Sequence, residues 1–387
     1  RDSGKVWPFL NVKPGKYRLR LLSGSGSRTL RLSLSTGDDF QVIGMEGGLL
    51  PAPVTVSQVT LGPGERADVV VDFAAYPIGT EILLVNDAPS PFPGTPGIGV
   101  VPDVMKFVVS DLPGTPPHTD PVPTALRPME VLSELDASVS RLFHLEKGPG
   151  TGTADEWEIQ SIDPVPGNIL IDATGLPGNQ WDAITELPEL GETEVWKFVN
   201  LSGMTHPMHM HLVFFQVLDR QSCIESAGQC TPIGSPIPPP PQEQGWKDTV
   251  QVGPNEIVRV IARFEDFEGR FSYHCHILEH EDHEMMRQFQ AVATTPHCGD
   301  GLDNDGDGLI DFAGGDPGCH AATDAGERGP TLPCDDGIDN DGDGTTDYPA
   351  DVNCASSYWV EVPEPSFALS LVAGAGLLAR WCRRRRG

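Results

Sequence analysis

Residues 274–286 have the sequence HCHILEHEDHEMM, which brings together four histidines, one cysteine and two methionines. The residues just before it, RFSY at 270–273, predict a strand, so we expect the His-Cys-His triplet to continue in extended conformation. Successive side chains of a strand point to opposite faces of the sheet. His274 and His276 are therefore expected on one face and Cys275 on the other.

A second histidine-rich stretch, HPMHMH, occupies residues 206–211, and its spacing turns one histidine away from the other two. A thiolate, two imidazoles and a weak thioether make a blue-copper electron-transfer site. One copper ion is therefore predicted on four residues: His206, Cys275, His280 and Met285. A different metal centre is predicted on the four histidines of the opposite face: His209, His211, His274 and His276.

Two simpler interpretations compete with copper. A lone free cysteine is most often a buried apolar side chain, and zinc also takes cysteine and histidine ligands. Structural zinc sites close with four ligands, however, whereas here one cysteine meets two crowded groups of histidines. The ligand types and their spacing favour copper.

HPMHMH and HCHILEHEDHEMM resemble the two C-terminal copper motifs of the multicopper oxidases. HCHILEHED followed by MM is most similar to the bacterial spore-coat laccases and bilirubin oxidases, and so is PPPPQEQGWKDT at residues 238–249. The resemblance runs from about residue 6 to residue 295. It implies a type 1 copper on the first set of ligands, a type 2 ligand in His209, and type 3 ligands in His211, His274 and His276.

The resemblance also implies an activity. Members of the family oxidise small-molecule or metal-ion donors by one-electron steps and reduce O2 to water. Glu281 matches an acidic residue that passes protons to the oxygen site. Phenols, bilirubin-like tetrapyrroles, Cu⁺ and Mn²⁺ all remain open as donors.

The remaining sequence predicts an all-β chain with two cupredoxin-like Greek-key β-sandwiches. Short alternating segments separated by Gly/Pro turns predict strands at residues 16–22, 31–35, 67–73 and 105–109. Residues 1–115 carry no metal-ligand cluster and resemble the copper-free middle domain of the family, which acts as a spacer. A proline-rich linker follows at 116–128, and residues 129–295 form the second sandwich, with strands expected at 194–200 and 256–264.

The sequence departs from the family in its supply of histidines. The oxygen-reducing cluster of the family needs eight, and half of them come from an N-terminal domain as two His-X-His pairs. Here the first histidine is His118, and His144 stands alone. We expect the C-terminal part of a longer oxidase that lacks its N-terminal domain. The alternatives are a short blue-copper electron carrier and a calcium-dependent envelope scaffold with relic copper sites.

Charge and cysteines restrict the partners and the compartment. The formal net charge of −29 argues against nucleic acid or an anionic membrane as a partner. Three cysteine pairs predict disulfides and an oxidising compartment: Cys223/Cys230, Cys298/Cys319 and Cys334/Cys354. Cys382 is left over. The absence of a starting Met and of a signal peptide predicts an incomplete or processed N-terminus.

Two acidic repeats are expected within residues 296–358. In each repeat, aspartates lie at relative positions 1, 3, 5 and 9 and a glycine lies at position 6, which matches the first part of a calcium-binding loop. Neither repeat has the glutamate that an EF-hand carries at position 12. The repeats resemble thrombospondin type 3 repeats, and the alternative is a disordered acidic stalk. The predicted calcium ligands are Asp303, Asp305, Asp307, Asp311, Asp339, Asp341, Asp343 and Asp347.

Residues 359–387 combine Pro-Glu-Pro, a short apolar run expected to be helical, and a basic end. The apolar run is shorter than the roughly 20 residues that span a bilayer. The segment resembles the PEP-type C-terminal sorting signal of Gram-negative envelope proteins, which is cleaved on export. It implies an exported protein, in the envelope or outside the cell, with transient membrane association. A nucleic-acid-binding arginine patch is the alternative interpretation.

Overall fold

The computed structural model describes residues 7–114, 118–148, 156–161, 184–226, 228–293, 297–299, 301–303, 308–319, 334 and 354. The chain divides into two compact units, residues 1–293 and 294–387. The first unit is an all-β structure made of two sandwiches, as the alternating segments predict, and it contains both histidine-rich motifs.

The first sandwich is built from two sheets. Its strands are β1 (Phe9–Val12), β2 (Lys16–Leu22), β3 (Leu30–Leu34), β4 (Phe40–Met45), β5 (Gly48–Val56), β6 (Val59–Leu61), β7 (Arg66–Asp72), β8 (Glu81–Asn86) and β9 (Asp103–Val109). One sheet has the order β1-β9-β8-β3-β6 and the other β2-β7-β4-β5. The four predicted strands lie on β2, β3, β7 and β9. Alternate side chains of these strands fill one core, in which Val69 and Phe107 are completely buried.

The second sandwich has strands β10 (Ala137–Gly148), β11 (Glu156–Ser161), β12 (Ile184–Glu186), β13 (Thr193–Asn200), β14 (His206–Met210), β15 (Phe215–Ser226), β16 (Gln229–Pro232), β17 (Thr249–Val252), β18 (Glu256–Arg263), β19 (Gly269–Cys275) and β20 (Met286–Ala291), with the short helix α1 (Leu278–Glu281). The sheets have the orders β11-β10-β13-β18-β15-β16 and β12-β20-β19-β14-β17. Trp196, Phe198 and Tyr273 are completely buried between them. The strands predicted at 194–200 and 256–264 lie on β13 and β18.

The pairing of β14 with β19 brings the two histidine motifs together. These strands are antiparallel neighbours, and their register sets His209 opposite His274 and Met208 opposite Cys275. The chain then turns through α1, where His280 lies, and returns as β20 alongside β19. Residues that are about 65 positions apart in sequence thereby lie on neighbouring strands of a single sheet.

The two sandwiches meet at a buried group of charges. Lys247 Nζ, from the second sandwich, lies 2.7 Å from Glu46 Oε2 and 3.3 Å from Glu65 Oε1 of the first, and all three side chains are almost completely buried. Burial disfavours the lysine cation, but the two carboxylates outweigh it and raise the pKa of Lys247 above its usual value. Removal of one partner would leave a buried charge uncompensated, so this contact constrains how the sandwiches pack.

The second unit is described only at a few places. It contains a short helix, α2 (Asp311–Gly314), and the expected disulfides Cys298–Cys319 and Cys334–Cys354. Asp303 accepts a hydrogen bond from the backbone N–H of Gly308 at 3.1 Å. The side chain of Asp311 and six other predicted calcium ligands lie outside the described residues: Asp305, Asp307, Asp339, Asp341, Asp343 and Asp347.

The predicted C-terminal helix and sorting tail, residues 359–387, also lie outside the described residues. Within the ranges that are described, no helix has the length and apolar character needed to cross a membrane. The third expected disulfide, Cys223–Cys230, joins β15 to β16 in the second sandwich. All three predicted pairs are therefore bonded, and Cys275 is the buried free cysteine among the described residues.

Candidate metal centres

Three side chains form a compact, buried group at the end of β19. His206 Nδ1 lies 3.6 Å from Cys275 Sγ and 3.2 Å from His280 Nδ1, and the last two atoms are 3.7 Å apart. The point equidistant from all three atoms lies about 2.0 Å from each, close to the metal–nitrogen and metal–sulfur distances of about 2.0–2.3 Å in protein sites. The trio therefore fits one metal ion, and its donor set is the His₂Cys set of blue copper.

Hydrogen bonding turns the ligand nitrogen of His206 toward this point. Its Nε2 lies 2.7 Å from the hydroxyl of Ser202, and that hydroxyl also lies 2.8 Å from Asn200 Oδ1, an atom that can only accept. Ser202 therefore donates to Asn200 and accepts from Nε2–H of His206. The lone pair of His206 is left on Nδ1, which faces Cys275.

Burial keeps the three candidate ligands neutral in the absence of a cation. It lowers the pKa of His206 to about 3, with a further contribution from His280, and lowers the pKa of His280 to about 4. Burial also raises the pKa of the Cys275 thiol well above its usual value. Neutral imidazoles are the ligand form of histidine, and a bound metal ion would favour the thiolate.

Met285 and Trp157 complete the surroundings of this group. Met285 is completely buried; its backbone N–H donates to His280 O at 3.0 Å, and its carbonyl accepts from Cys275 N–H at 2.9 Å. The Trp157 ring stacks on the His280 ring at a centroid distance of 4.4 Å and contacts His206 edge-on at 5.2 Å. The motif spacing predicted Met285, whereas nothing in the motifs pointed to Trp157.

Four of the five remaining histidines of the motifs gather on the opposite face of the sheet. His209, His211 and His274 each offer a ring nitrogen within 4.8 Å of the others. The His276 ring lies 5.6 Å from the His209 ring and 5.4 Å from the His274 ring, measured between centroids. We call these four residues the histidine cluster. The predicted alternation of His274, Cys275 and His276 between two faces is thus confirmed.

The tautomers of two cluster residues follow from their carbonyl partners. His209 Nδ1 lies 2.8 Å from the backbone oxygen of Asp248, and His274 Nδ1 lies 3.1 Å from the backbone oxygen of Cys275. Because a carbonyl can only accept, each Nδ1 carries the proton and each Nε2 carries the lone pair. His274 Nε2 lies 3.2 Å from His211 Nε2, where it can bind a proton or a cation.

Lowered pKa values keep histidines of the cluster neutral, which is the form that binds a metal cation. Burial, followed by the neighbouring histidines, lowers the pKa of His211 and His276. The pKa of His274 falls to about 4, mainly because of burial. Neutral imidazoles, of which His209 and His274 carry the lone pair on Nε2, make a set of donors suited to copper or zinc.

Glu281 borders the histidine cluster at the end of α1. Its Oε2 lies 3.5 Å from His274 Nδ1, and about one-fifth of its side chain is exposed. Burial raises the pKa of Glu281, and the charge of Asp282 raises it further. A carboxyl group in this position contacts both solvent and the cluster, so it is placed to exchange protons between them.

Comparisons with known proteins agree with this geometry. Two family models described as multicopper oxidase match residues 3–92 and 152–294. The chain is 38% identical to a laccase of Bacillus subtilis, over 76% of this chain and 54% of that protein. It is 39% identical to a laccase of Bacillus stratosphericus, over 75% of this chain and 54% of that protein.

The chain belongs to the multicopper oxidase family. Its fold is also similar to that of the McoA multicopper oxidase from Aquifex aeolicus, with a TM-score of 0.55 and 28% identity over 74% of this chain and 57% of that one. This multicopper oxidase chain spans about half the length of the curated relatives it matches. Both groups that could hold a metal ion among its described residues lie in the second sandwich, as the motifs predict.

Proposed function

We propose that this chain holds a blue copper on His206, Cys275, His280 and Met285 and supplies half of an oxygen-reducing copper cluster. The observation that carries the proposal is the position of Cys275 between the two centres. Its side chain lies in the first group, while the residues on either side of it, His274 and His276, lie in the histidine cluster. His209 is proposed as the type 2 ligand, and the type 3 ligands are His211, His274 and His276.

The proposed reaction is laccase-like. Four one-electron oxidations of a phenolic, related organic or metal-ion donor, together with four protons, convert one O2 into two water molecules. Copper, when bound, would supply the one-electron chemistry. The chain orients the ligand nitrogens through Ser202 and Asp248, excludes water from one side of His280 with the Trp157 ring, and holds a proton on the Glu281 carboxyl group.

The rest of the oxygen-reducing cluster is proposed to come from another cupredoxin domain. The histidine cluster supplies four imidazoles, and the curated relatives are about twice as long as the region they share with this chain. A domain with two His-X-His pairs, in the same polypeptide or in a separate chain, would complete the set of eight. O2 and an electron donor are then the other partners of the reaction.

The second unit and the C-terminal tail suggest an exported protein. We propose that the acidic repeats bind Ca²⁺, because hard carboxylate oxygens suit this ion and a disulfide brackets each repeat. Three disulfides are consistent with an oxidising compartment. We further propose that the chain is sorted to the envelope of a Gram-negative cell and associates transiently with the membrane before the tail is cleaved.

Copper stoichiometry tests the proposal. The chain is loaded with copper alone and together with an upstream cupredoxin domain, and copper content, visible absorption and O2 uptake are measured. For the chain alone we expect about one tightly bound copper with an intense blue band, and weaker Cu²⁺ binding by the incomplete histidine cluster. Once the domain is added, we expect about four tightly bound copper ions with O2 uptake. One copper without O2 uptake in both forms would indicate an electron carrier. Colourless, copper-free protein would contradict both functions and favour the scaffold.

A further inference from the structure

A bidentate ion pair joins the copper-free sandwich to the histidine cluster. Arg66, the first residue of β7, donates from Nη1 to Asp248 Oδ1 at 2.8 Å and from Nη2 to Asp248 Oδ2 at 2.6 Å. Asp248 immediately precedes β17 in the second sandwich, and its side chain is only 12% exposed. Two parallel charge-assisted bonds fix both position and orientation more firmly than a single contact. The carboxylate of Asp248 is therefore held by a residue of the other sandwich.

Asp248 in turn holds the ring of His209. Its backbone oxygen accepts from Nδ1–H at 2.8 Å, and its Oδ1 lies 3.5 Å from the same nitrogen. The hydroxyl of Thr249 donates to Asp248 Oδ1 at 2.8 Å and lies 3.1 Å from His209 Nδ1. Burial disfavours the carboxylate, but the hydrogen bonds with His209 and Arg66 outweigh it and lower the pKa of Asp248. These contacts leave Nε2 of His209 as the ligand atom.

The turn that precedes Arg66 contacts a second cluster residue directly. Gly64 has a φ of +80°, and a Cβ atom placed on it would lie 2.2 Å from His276 Cδ2. The carbonyl of Gly64 accepts a hydrogen bond from Arg66 Nη1 at 3.0 Å. One guanidinium group therefore links the turn that packs on His276 to Asp248, the residue whose backbone oxygen orients His209.

We propose that Arg66 is a positioning residue for the histidine cluster. Acting through Asp248 and through the Gly64 turn, it sets the orientation of His209 and the position of His276 for metal binding. The first sandwich, which carries no ligand cluster among its described residues, thus contributes to the metal centre instead of serving as a spacer. This inference rests on the proposed function of the histidine cluster as a copper site. Outer contacts of this kind typically change metal affinity by about 10–100-fold.

The test compares Arg66→Gln and Arg66→Lys with Arg18→Gln in the full chain. Arg18 forms a similar bidentate pair with Asp68 on the exposed face of the first sandwich, so it controls for loss of an Arg–Asp pair as such. The first readout is ¹⁵N NMR of the His209 imidazole, which reports the tautomer of this ring in the metal-free chain. The His209 signals are assigned by their loss in His209→Gln. The second is titration with Cu²⁺ beyond the equivalent that produces the blue absorption.

We expect Arg66→Gln to lose the fixed Nδ1–H tautomer of His209 and to bind Cu²⁺ at the histidine cluster at least about tenfold more weakly. Arg66→Lys, which cannot form the bidentate pair, should be intermediate, and Arg18→Gln should match the parent chain. The blue absorption of the Cys275 site should persist in every variant.

Either of two results would overturn the proposal. One is an unchanged His209 tautomer in Arg66→Gln. The other is an equal loss of the blue absorption and of Cu²⁺ binding by the histidine cluster in both Arg66 variants. Failure of the parent chain to bind Cu²⁺ at the cluster would instead contradict the proposed function. The tautomer measurement would still decide whether Arg66 positions His209.

Discussion

His274 and Cys275 are consecutive residues whose side chains lie in different centres. Cys275 Sγ is 3.6 Å from His206 Nδ1, whereas His274 Nε2 is 3.2 Å from His211 Nε2 on the opposite face of the sheet. The two residues are also linked by a hydrogen bond, because His274 Nδ1–H donates to the carbonyl of Cys275 at 3.1 Å. Only one peptide unit of backbone therefore separates Cys275 from the histidine cluster.

Cys275→Ser should remove the blue absorption and about one copper per chain while leaving Cu²⁺ binding by the histidine cluster. A serine hydroxyl is a hard, protonated group, whereas copper in such sites depends on a soft thiolate. The check is visible absorption together with copper content. A variant with serine at both Cys223 and Cys230, whose disulfide joins β15 to β16, is the control and should keep the blue band. A blue band in Cys275→Ser would contradict the assigned ligand.

Much of the fold and of the grouping of candidate ligands could be predicted because both depend on local periodicity. Alternation along β19 determines that Cys275 and His274 face opposite ways. The strand signals also located β2, β3, β7, β9, β13 and β18 to within a few residues. Arg66 and Asp248 could not be paired from sequence, because they are 182 positions apart and lie in different sandwiches. Trp157 carries no motif signal, since its stacking on His280 depends on how β11 packs in three dimensions.

Gly64→Ala should destabilise the chain and weaken Cu²⁺ binding by the histidine cluster. The new Cβ would be strained by the φ of +80° and would collide with the His276 ring. Gly37→Ala is the matched control, because Gly37 has the same φ and no atom lies within 4 Å of the added Cβ. Left-handed strain alone costs about 1–2 kcal/mol, so Gly37→Ala should lose only this amount and no metal affinity. Urea unfolding and Cu²⁺ titration measure the two effects, and equal results for both variants would contradict the contact.

Glu65 should make the stability of the chain depend on pH. Burial raises its pKa to about 7; Lys247 opposes this, and Glu46 and Glu243 add to it. Because the folded state then binds a proton more tightly than the unfolded state, stability should be fully present below about pH 4.5 and should fall as the pH rises through 7. The loss is on the order of 3 kcal/mol at most. Urea unfolding at pH 5 and pH 8 should show this loss in the parent chain and little of it in Glu65→Gln. Glu81→Gln, at an exposed pair with Lys106, should behave like the parent chain.

Glu281→Gln should slow O2 reduction without affecting electron entry. The amide keeps the size of the side chain beside His274 but cannot deliver a proton. The step that brings protons to the cluster should therefore slow by about a hundredfold, the lower end of the range for general acid–base groups. The measurement compares two rates in the chain supplied with the upstream domain: O2 uptake, and anaerobic bleaching of the blue absorption by a phenolic donor. Only the first should fall. Glu279→Gln is the control, because Glu279 lies exposed on the same helix and should leave both rates unchanged. If bleaching slows as much as O2 uptake, Glu281 acts on the Cys275 site and not on proton delivery.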